Sequence, residues 1–113
     1  MNKFISIIIP VYNEVESIKE LYTEIIKVVH IYNKYEIIFI NDGSSDNSVG
    51  KIRKIATGDN CVKLVRFYKN FGKADALSEG FINSRGDYII TMDADLQDDP
   101  AEIPNLINKL DDG

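Results

Sequence analysis

Four short apolar runs, each followed by a polar turn and then a helical pattern, constrain this chain more than any other feature. The first, Phe4-Ile5-Ser6-Ile7-Ile8-Ile9, is rich in β-branched residues and meets Pro10, which cannot donate to a sheet ladder. Beyond Asn13, residues Ile18, Leu21, Tyr22, Ile25, Val28, Val29 and Tyr32 recur at three- and four-residue spacings, the apolar face of an amphipathic helix. Tyr35 to Ile40 is a second strand, stopped by Asn41-Asp42-Gly43. Ser45 or Asp46 can cap a helix carrying Val49, Ile52, Arg53 and Ile55, which ends near Gly58. Val62 to Phe67 is a third strand, and Lys73 to Ser84 a third helix with Ala74, Leu77, Phe81 and Ile82 on its buried face. Tyr88 to Met92 is the fourth strand and Glu102 to Leu110 a short last helix. The order βαβαβαβα, with strands apolar throughout, implies a mainly parallel sheet covered on both faces. We read one Rossmann-like α/β domain over residues 1–113.

Length and charge narrow the classes of function. A chain of 113 residues suits one domain, and 44% hydrophobic with 27% charged residues is a globular composition rather than a disordered one. The formal net charge of −5 weighs against nucleic acid as a partner, which needs basic surface to neutralise phosphates. The same balance suits a site that gathers carboxylates around a divalent metal. Cys61 is the lone cysteine, which excludes an internal disulfide and fits a reducing, cytoplasmic compartment; a buried structural thiol is expected there. Phe4 to Val11 is too short to cross a bilayer and lacks a cleavage pattern. His30, beside Lys27 and Lys34, reads as a surface residue.

In open parallel sheets ligands bind at the carboxyl ends of the strands, near the point where strand order reverses. The polar clusters of this chain all follow strands, so they should converge on one edge. Asp93 and Asp95, two apart in Met92-Asp93-Ala94-Asp95-Leu96-Gln97-Asp98-Asp99-Pro100, can reach one hard cation, and Gln97 could add a neutral oxygen. Mg²⁺ and Mn²⁺ take such ligands and leave positions open for water and substrate phosphates. The alternative is a solvated acidic turn, which is the reading preferred for Asp98 and Asp99, either of which can cap the last helix. Tyr12 can present a ring to a nucleobase and Glu14 can accept from ribose hydroxyls, although Asn13 or Glu14 could simply start the first helix. Asp42 can accept from a base N–H, with Gly43 permitting a tight turn. Arg66, Lys69 and Lys73 form the notable positive cluster of this edge, suited to a diphosphate or a phosphate-bearing acceptor, or to no more than solvated loops. No G-x-x-x-x-G-K-[ST] and no G-x-G-x-x-G occur, so neither a Walker loop nor an NAD site has support.

Taken together, IIIPVYNE (Ile7–Glu14), IIFINDGSSDNS (Ile37–Ser48), LVRFYKNFGKADALSEGF (Leu64–Phe81) and MDADLQDDP resemble the amino-terminal part of an inverting family 2 glycosyltransferase with the GT-A fold. The likeness is greatest to the dolichol-phosphate mannose synthase and polyprenyl-phosphate glycosyltransferase branch. It implies that Pro10, Tyr12 and Glu14 bind the donor nucleoside and that Asp42 reads its base. Asp93 also contacts the donor nucleotide; with Asp95 it holds a divalent metal, Mg²⁺ or Mn²⁺, against the diphosphate. Gln97 joins that metal site, and Lys73 lies in a basic segment of less defined role. The donor would be a UDP- or GDP-type sugar and the acceptor a polyprenyl phosphate.

Such chemistry needs a cation to stabilise the departing nucleoside diphosphate, while a phosphate acceptor, already an anion, needs no general base. Family catalytic domains are about twice this length, so the resemblance implies the donor half of a transferase, truncated at its carboxyl end. The acceptor side and any catalytic base would lie beyond residue 113, and nucleotide binding with little turnover is expected. Apolar surface left without cover would favour a homodimer, and the parent would work at the cytoplasmic face of a membrane. Two rivals are a non-catalytic assembly module that keeps the fold, and a phosphatase whose first D-x-D aspartate is a nucleophile. The latter pattern usually stands on a first strand with a nearby Thr, whereas here it follows the fourth.

Overall fold

The computed structural model describes residues 3–32 and 34–112. Its strands are β1 (Phe4–Val11), β2 (Lys34–Asp42), β3 (Val62–Phe67) and β4 (Tyr88–Thr91), all parallel, in the order β3-β2-β1-β4. The helices are α1 (Ile18–Val29), α2 (Ser48–Gly58), α3 (Lys73–Asn83) and α4 (Ile103–Asp111), the last entered through a 3₁₀ turn at Pro100–Glu102.

Both faces of the sheet are covered, which is why β1 and β2 read as apolar runs without alternation. Ile5, Ile7 and Ile9 of β1, with Ile37 and Phe39 of β2, pack against Ile18, Leu21 and Ile25 of α1, Ile52 of α2 and Ile103 and Ile107 of α4. Ile8, Ile38 and Ile40 point the other way, onto Ala76 of α3. α1 therefore buries the stripe expected of it.

The third helix packs Leu77 against the sheet as expected, but not the other residues expected to be buried. Ala76 and Gly80 are its buried residues, while Phe81 and Ile82 are 50% and 75% exposed and Ala74 is exposed. The reason is distance: a Cβ built on Gly80 would lie 2.3 Å from Ile8 Cγ2. A helix seated this close to a sheet must present small side chains, so its larger apolar residues fall to the flanks. The other element ends also differ. β2 runs on through Asn41 and Asp42, and the cap position of α2 is Asn47, with Asp46 Oδ1 instead accepting from the Ser48 amide at 2.9 Å.

Pro10 lies inside β1 rather than beyond its end. Bonding groups along a strand face alternate sides, and the Ile8 carbonyl accepts from the Met92 amide at 3.0 Å, on the β4 side. Two residues on, Pro10 faces that same side and has no N–H to offer. The β1–β4 ladder therefore stops at Ile8, while β1 continues beside β2 to Val11. From Met92 onward the chain peels away from β1 and carries Asp93 with it. An apolar strand ends in carboxylates here because its neighbour has no further donor for it.

At the opposite edge sits a buried carboxylate. Glu36 of β2 is 2% exposed. Its Oε2 accepts from Ser6 Oγ at 2.6 Å and from the Arg85 amide at 2.7 Å, and Oε1 accepts from Lys63 Nζ at 2.6 Å. Ser6 Oγ in turn accepts from the Gly86 amide at 2.8 Å. Burial pushes the Glu36 carboxyl up, but bonds from Lys63, Ser6 and Arg85 outweigh it and hold the group below its ordinary value. Cys61 is half-buried, and burial with Asp59 nearby raises its thiol pKa, which fits an inert thiol. His30 is exposed, as expected.

Candidate functional site

Strand order reverses at β1, whose neighbours β2 and β4 lead in opposite directions, so the crevice predicted by the fold lies at the carboxyl ends of β1 and β4. A cleft of about 480 Å³ occupies that position. Its walls come from Pro10, Tyr12 and Glu14 after β1, Asp42 ending β2, Asn70, Gly72 and Lys73 entering α3, and Asp93 and Asp95 after β4. The sequence-derived candidates thus converge, with three exceptions: Arg66, Lys69 and Gln97 do not line the cleft. Arg66 is exposed on β3, two strands from β1, and Gln97 is exposed on its loop, donating its backbone amide to Asp95 Oδ1 at 3.2 Å.

Asp42 is buried at 4% exposure and organises the turn that opens α3. Its Oδ1 accepts from the Phe71 amide at 2.7 Å, and its Oδ2 accepts from the Gly72 amide at 3.0 Å and from Asn70 Nδ2 at 3.2 Å. Gly43 adjoins it at φ 70°, and a Cβ there would sit 2.3 Å from the backbone of Lys69 and Asn70. Positive φ and contact with that backbone together leave room only for glycine. The 70–72 turn is thereby fixed against the end of β2, and it delivers Lys73 as the first residue of α3. Lys73 Nζ pairs with Asp93 Oδ1. That contact chiefly raises the Lys73 pKa, with the charges of Asp98 and Asp95 adding to it.

The loops after β1 and β2 clasp each other. Asn13 adopts φ 54°, and its Oδ1 accepts from the Ser45 and Asp46 amides at 2.8 and 3.2 Å while its own amide donates to Ser44 Oγ at 2.9 Å. The Glu14 amide donates to Ser48 Oγ at 3.1 Å and the Val15 amide to Asp46 Oδ2 at 3.2 Å. Burial raises the Asp46 carboxyl, but the Ser48 hydroxyl and amide and the Val15 amide outweigh it and lower its pKa. Ser17 Oγ extends the clasp to the fourth loop, donating to the Ala94 carbonyl at 2.5 Å. Sequence reasoning missed Asn13, Ser17, Ser44, Ser48 and Asn70 as parts of the site. The available signal was Asn13 itself, since Asn is among the few residues that accept left-handed backbone.

The acidic run divides in two. Asp99 caps the 3₁₀ turn by accepting from the Ala101 amide at 3.0 Å, and Asp98 Oδ2 accepts from the Asp93 amide at 2.8 Å. Both have structural duties, leaving Asp93 and Asp95 to face the cleft. Among the described residues no three His, Cys, Asp or Glu side chains converge to hold a metal by themselves. Two carboxylates at an open cleft are nonetheless the donor set that Mg²⁺ or Mn²⁺ uses when water and substrate phosphates complete the shell. The ammonium drawn onto Asp93 shows that this position favours a cation, so the residues fit the ion.

The model of the family described as glycosyl transferase family 2 matches residues 6–113. The chain belongs to glycosyl transferase family 2. A curated relative, the undecaprenyl-phosphate 4-deoxy-4-formamido-L-arabinose transferase of Shewanella sediminis, is 45% identical over 112 residues, covering 97% of this chain and 34% of its own length. Among solved structures, a mannosyltransferase from Pyrobaculum calidifontis in complex with GDP-Man and Mn²⁺ is 26% identical with a TM-score of 0.77, over 84% of this chain and 28% of that one. Glucosyl-3-phosphoglycerate synthase from Mycobacterium tuberculosis, in complex with Mn²⁺, UDP and glucosyl-3-phosphoglycerate, is 25% identical with a TM-score of 0.75, over 96% and 39% of the two chains. The chain spans about a third of the length of these relatives. The GT-A fold expected from the sequence is the fold observed. No described helix is long and apolar enough to cross a membrane.

Proposed function

We propose that residues 1–113 form the donor-binding part of an inverting glycosyltransferase that moves a sugar from a nucleoside diphosphate to an acceptor. The observation that carries this reading is the meeting, in one cleft at the strand-order reversal, of Tyr12, Glu14, Asp42, Lys73, Asp93 and Asp95. Tyr12, half exposed at the rim, offers its ring to the base, and Glu14 accepts from the ribose. Pro10 shapes the floor beneath the nucleoside. A base N–H would share the Asp42 carboxylate with the Gly72 amide. Asp93 would also contact the nucleotide and, with Asp95, would hold Mg²⁺ or Mn²⁺, with the exposed Gln97 joining them. A bound divalent ion supplies Lewis-acid stabilisation to the departing diphosphate. Lys73 adds a cation to the same charge, preorganised by the Asp42-held turn.

A polyprenyl-phosphate acceptor is supported by the relative that acts with undecaprenyl phosphate. Such an acceptor is anionic without a base, and the exposed Arg66 of β3 would offer it a cation outside the cleft. A lipid acceptor sets the reaction at a membrane, on its cytoplasmic face. The isolated 113 residues bind donor nucleotide with little turnover. Among the described residues β4 pairs with β1 alone, and Ile89, Leu106 and Leu110 stand exposed near its other edge, which supports self-association as a homodimer. Calorimetric titration with UDP and GDP, each with and without Mn²⁺, tests the donor site. Metal-dependent binding that disappears in Asp95→Ala is expected. Equal binding by the variant would refute the assignment, and no nucleotide binding at all would favour an assembly module.

A further inference from the structure

Lys73 stands in an unusual position for a residue assigned to a diphosphate. It is 60% exposed in its side chain, on a flexible stem, yet its ammonium rests on Asp93, the carboxylate assigned above to the metal. The placement is built in. Asp42 and Gly43 fix the 70–72 turn, the turn starts α3 at Lys73, and the peeling of β4 from Pro10 brings Asp93 opposite. Three separate elements therefore converge on one ion pair.

A dication and an ammonium cannot both sit against that carboxylate without strong mutual repulsion. When metal arrives alone, Lys73 must leave Asp93 and face a divalent charge with no new anion to pair with. When metal arrives with a diphosphate, the ammonium can transfer to its phosphate oxygens, and both cations are neutralised. We infer that Lys73 is the metal's rival for Asp93 in the free chain and the diphosphate's partner in the loaded one, so that metal and nucleotide bind cooperatively through this side chain. The inference rests on the donor-site reading above. Linkage makes the effect reciprocal: whatever factor the diphosphate adds to metal affinity, the metal adds to diphosphate affinity.

The test is Mn²⁺ binding to the 113-residue chain, followed by loss of the free-ion electron paramagnetic resonance signal, with and without UDP or GDP. Lys73→Gln is expected to bind Mn²⁺ alone about three- to tenfold more tightly than wild type, from the loss of a part-exposed ion pair and of a neighbouring like charge. The nucleotide should then enhance Mn²⁺ affinity by a correspondingly smaller factor, while Lys73→Arg keeps the wild-type pattern. Unchanged or weaker Mn²⁺ binding by Lys73→Gln would overturn the coupling. If Asp95→Ala still abolishes Mn²⁺ binding in that case, the donor-site reading survives alone. If neither wild type nor Lys73→Gln binds Mn²⁺ even with nucleotide, both fall together.

Discussion

Removing the carboxylate of Glu36 should cost the fold far more than neutralising it. In Glu36→Ala the buried Ser6 Oγ and the part-buried Arg85 amide both lose their acceptor. Each orphaned buried donor costs about 1–3 kcal/mol, so the pair costs about 2–6 kcal/mol. Lys63 adds little, because its side chain is 43% exposed and turns to solvent. In Glu36→Gln the amide oxygen can keep Ser6 and Arg85, and its NH₂ faces Lys63, so about 1–2 kcal/mol should go. Against a total of about 5–15 kcal/mol for a domain of this kind, the alanine variant approaches unfolding. Urea titration followed by far-ultraviolet circular dichroism reads the difference as a fall in midpoint at constant slope. The pH dependence has a definite sign. The folded pKa of Glu36 lies below its reference of 4.5, so this contribution is present above about pH 4.5 and is lost as pH falls through the lower folded value. Glu36→Gln should flatten that part of the acid limb. Equal losses in the two variants, or an alanine cost below about 1 kcal/mol, would refute the view that satisfied donors, rather than charge, hold this edge together.

Three further perturbations separate the site from its scaffold. Gly43→Ala, at φ 70° with a Cβ 2.3 Å from the Lys69–Asn70 backbone, should cost about 2 kcal/mol or more and weaken nucleotide binding by displacing the 70–72 turn, measured by denaturation and titration. Gly80→Ala should destabilise by about 1–3 kcal/mol despite alanine's better helix propensity, because its methyl meets Ile8; a gain in urea midpoint would show that α3 can back away from the sheet. Asn13→Ala removes the acceptor for the Ser45 and Asp46 amides and leaves a left-handed residue unsupported, so a loss of about 2 kcal/mol is expected, together with faster amide exchange at Ser45 and Asp46.

Much of this architecture was legible because burial on both faces writes itself into composition. Ile7-Ile8-Ile9 and Ile37-Ile38-Phe39 could hardly be anything but covered strands, and Ile18, Leu21, Ile25 and Val29 mark the buried side of α1 by spacing alone. The misreadings share a physical origin, dependence on distances that only the assembled fold defines. Phe81 and Ile82 looked like core because large apolar residues usually are, yet the approach of α3 to Ile8 selects Ala76 and Gly80 instead. Pro10 looked like a strand end because its missing donor matters only on the side where β4 runs. The backbone bonds that occupy Asp42 leave no trace in a linear pattern.

The clasp between the loops after β1 and β2 bears on how new specificity could be engineered. Asn13 reads the backbone of Ser45 and Asp46, and Ser44, Asp46 and Ser48 answer to the backbone of residues 13–15. Each loop is the other's template. A recognition loop transplanted singly from a homologue would arrive without the partner that gives it shape, whereas the two segments moved as a unit, about 12–17 with 43–48, carry their own geometry with them.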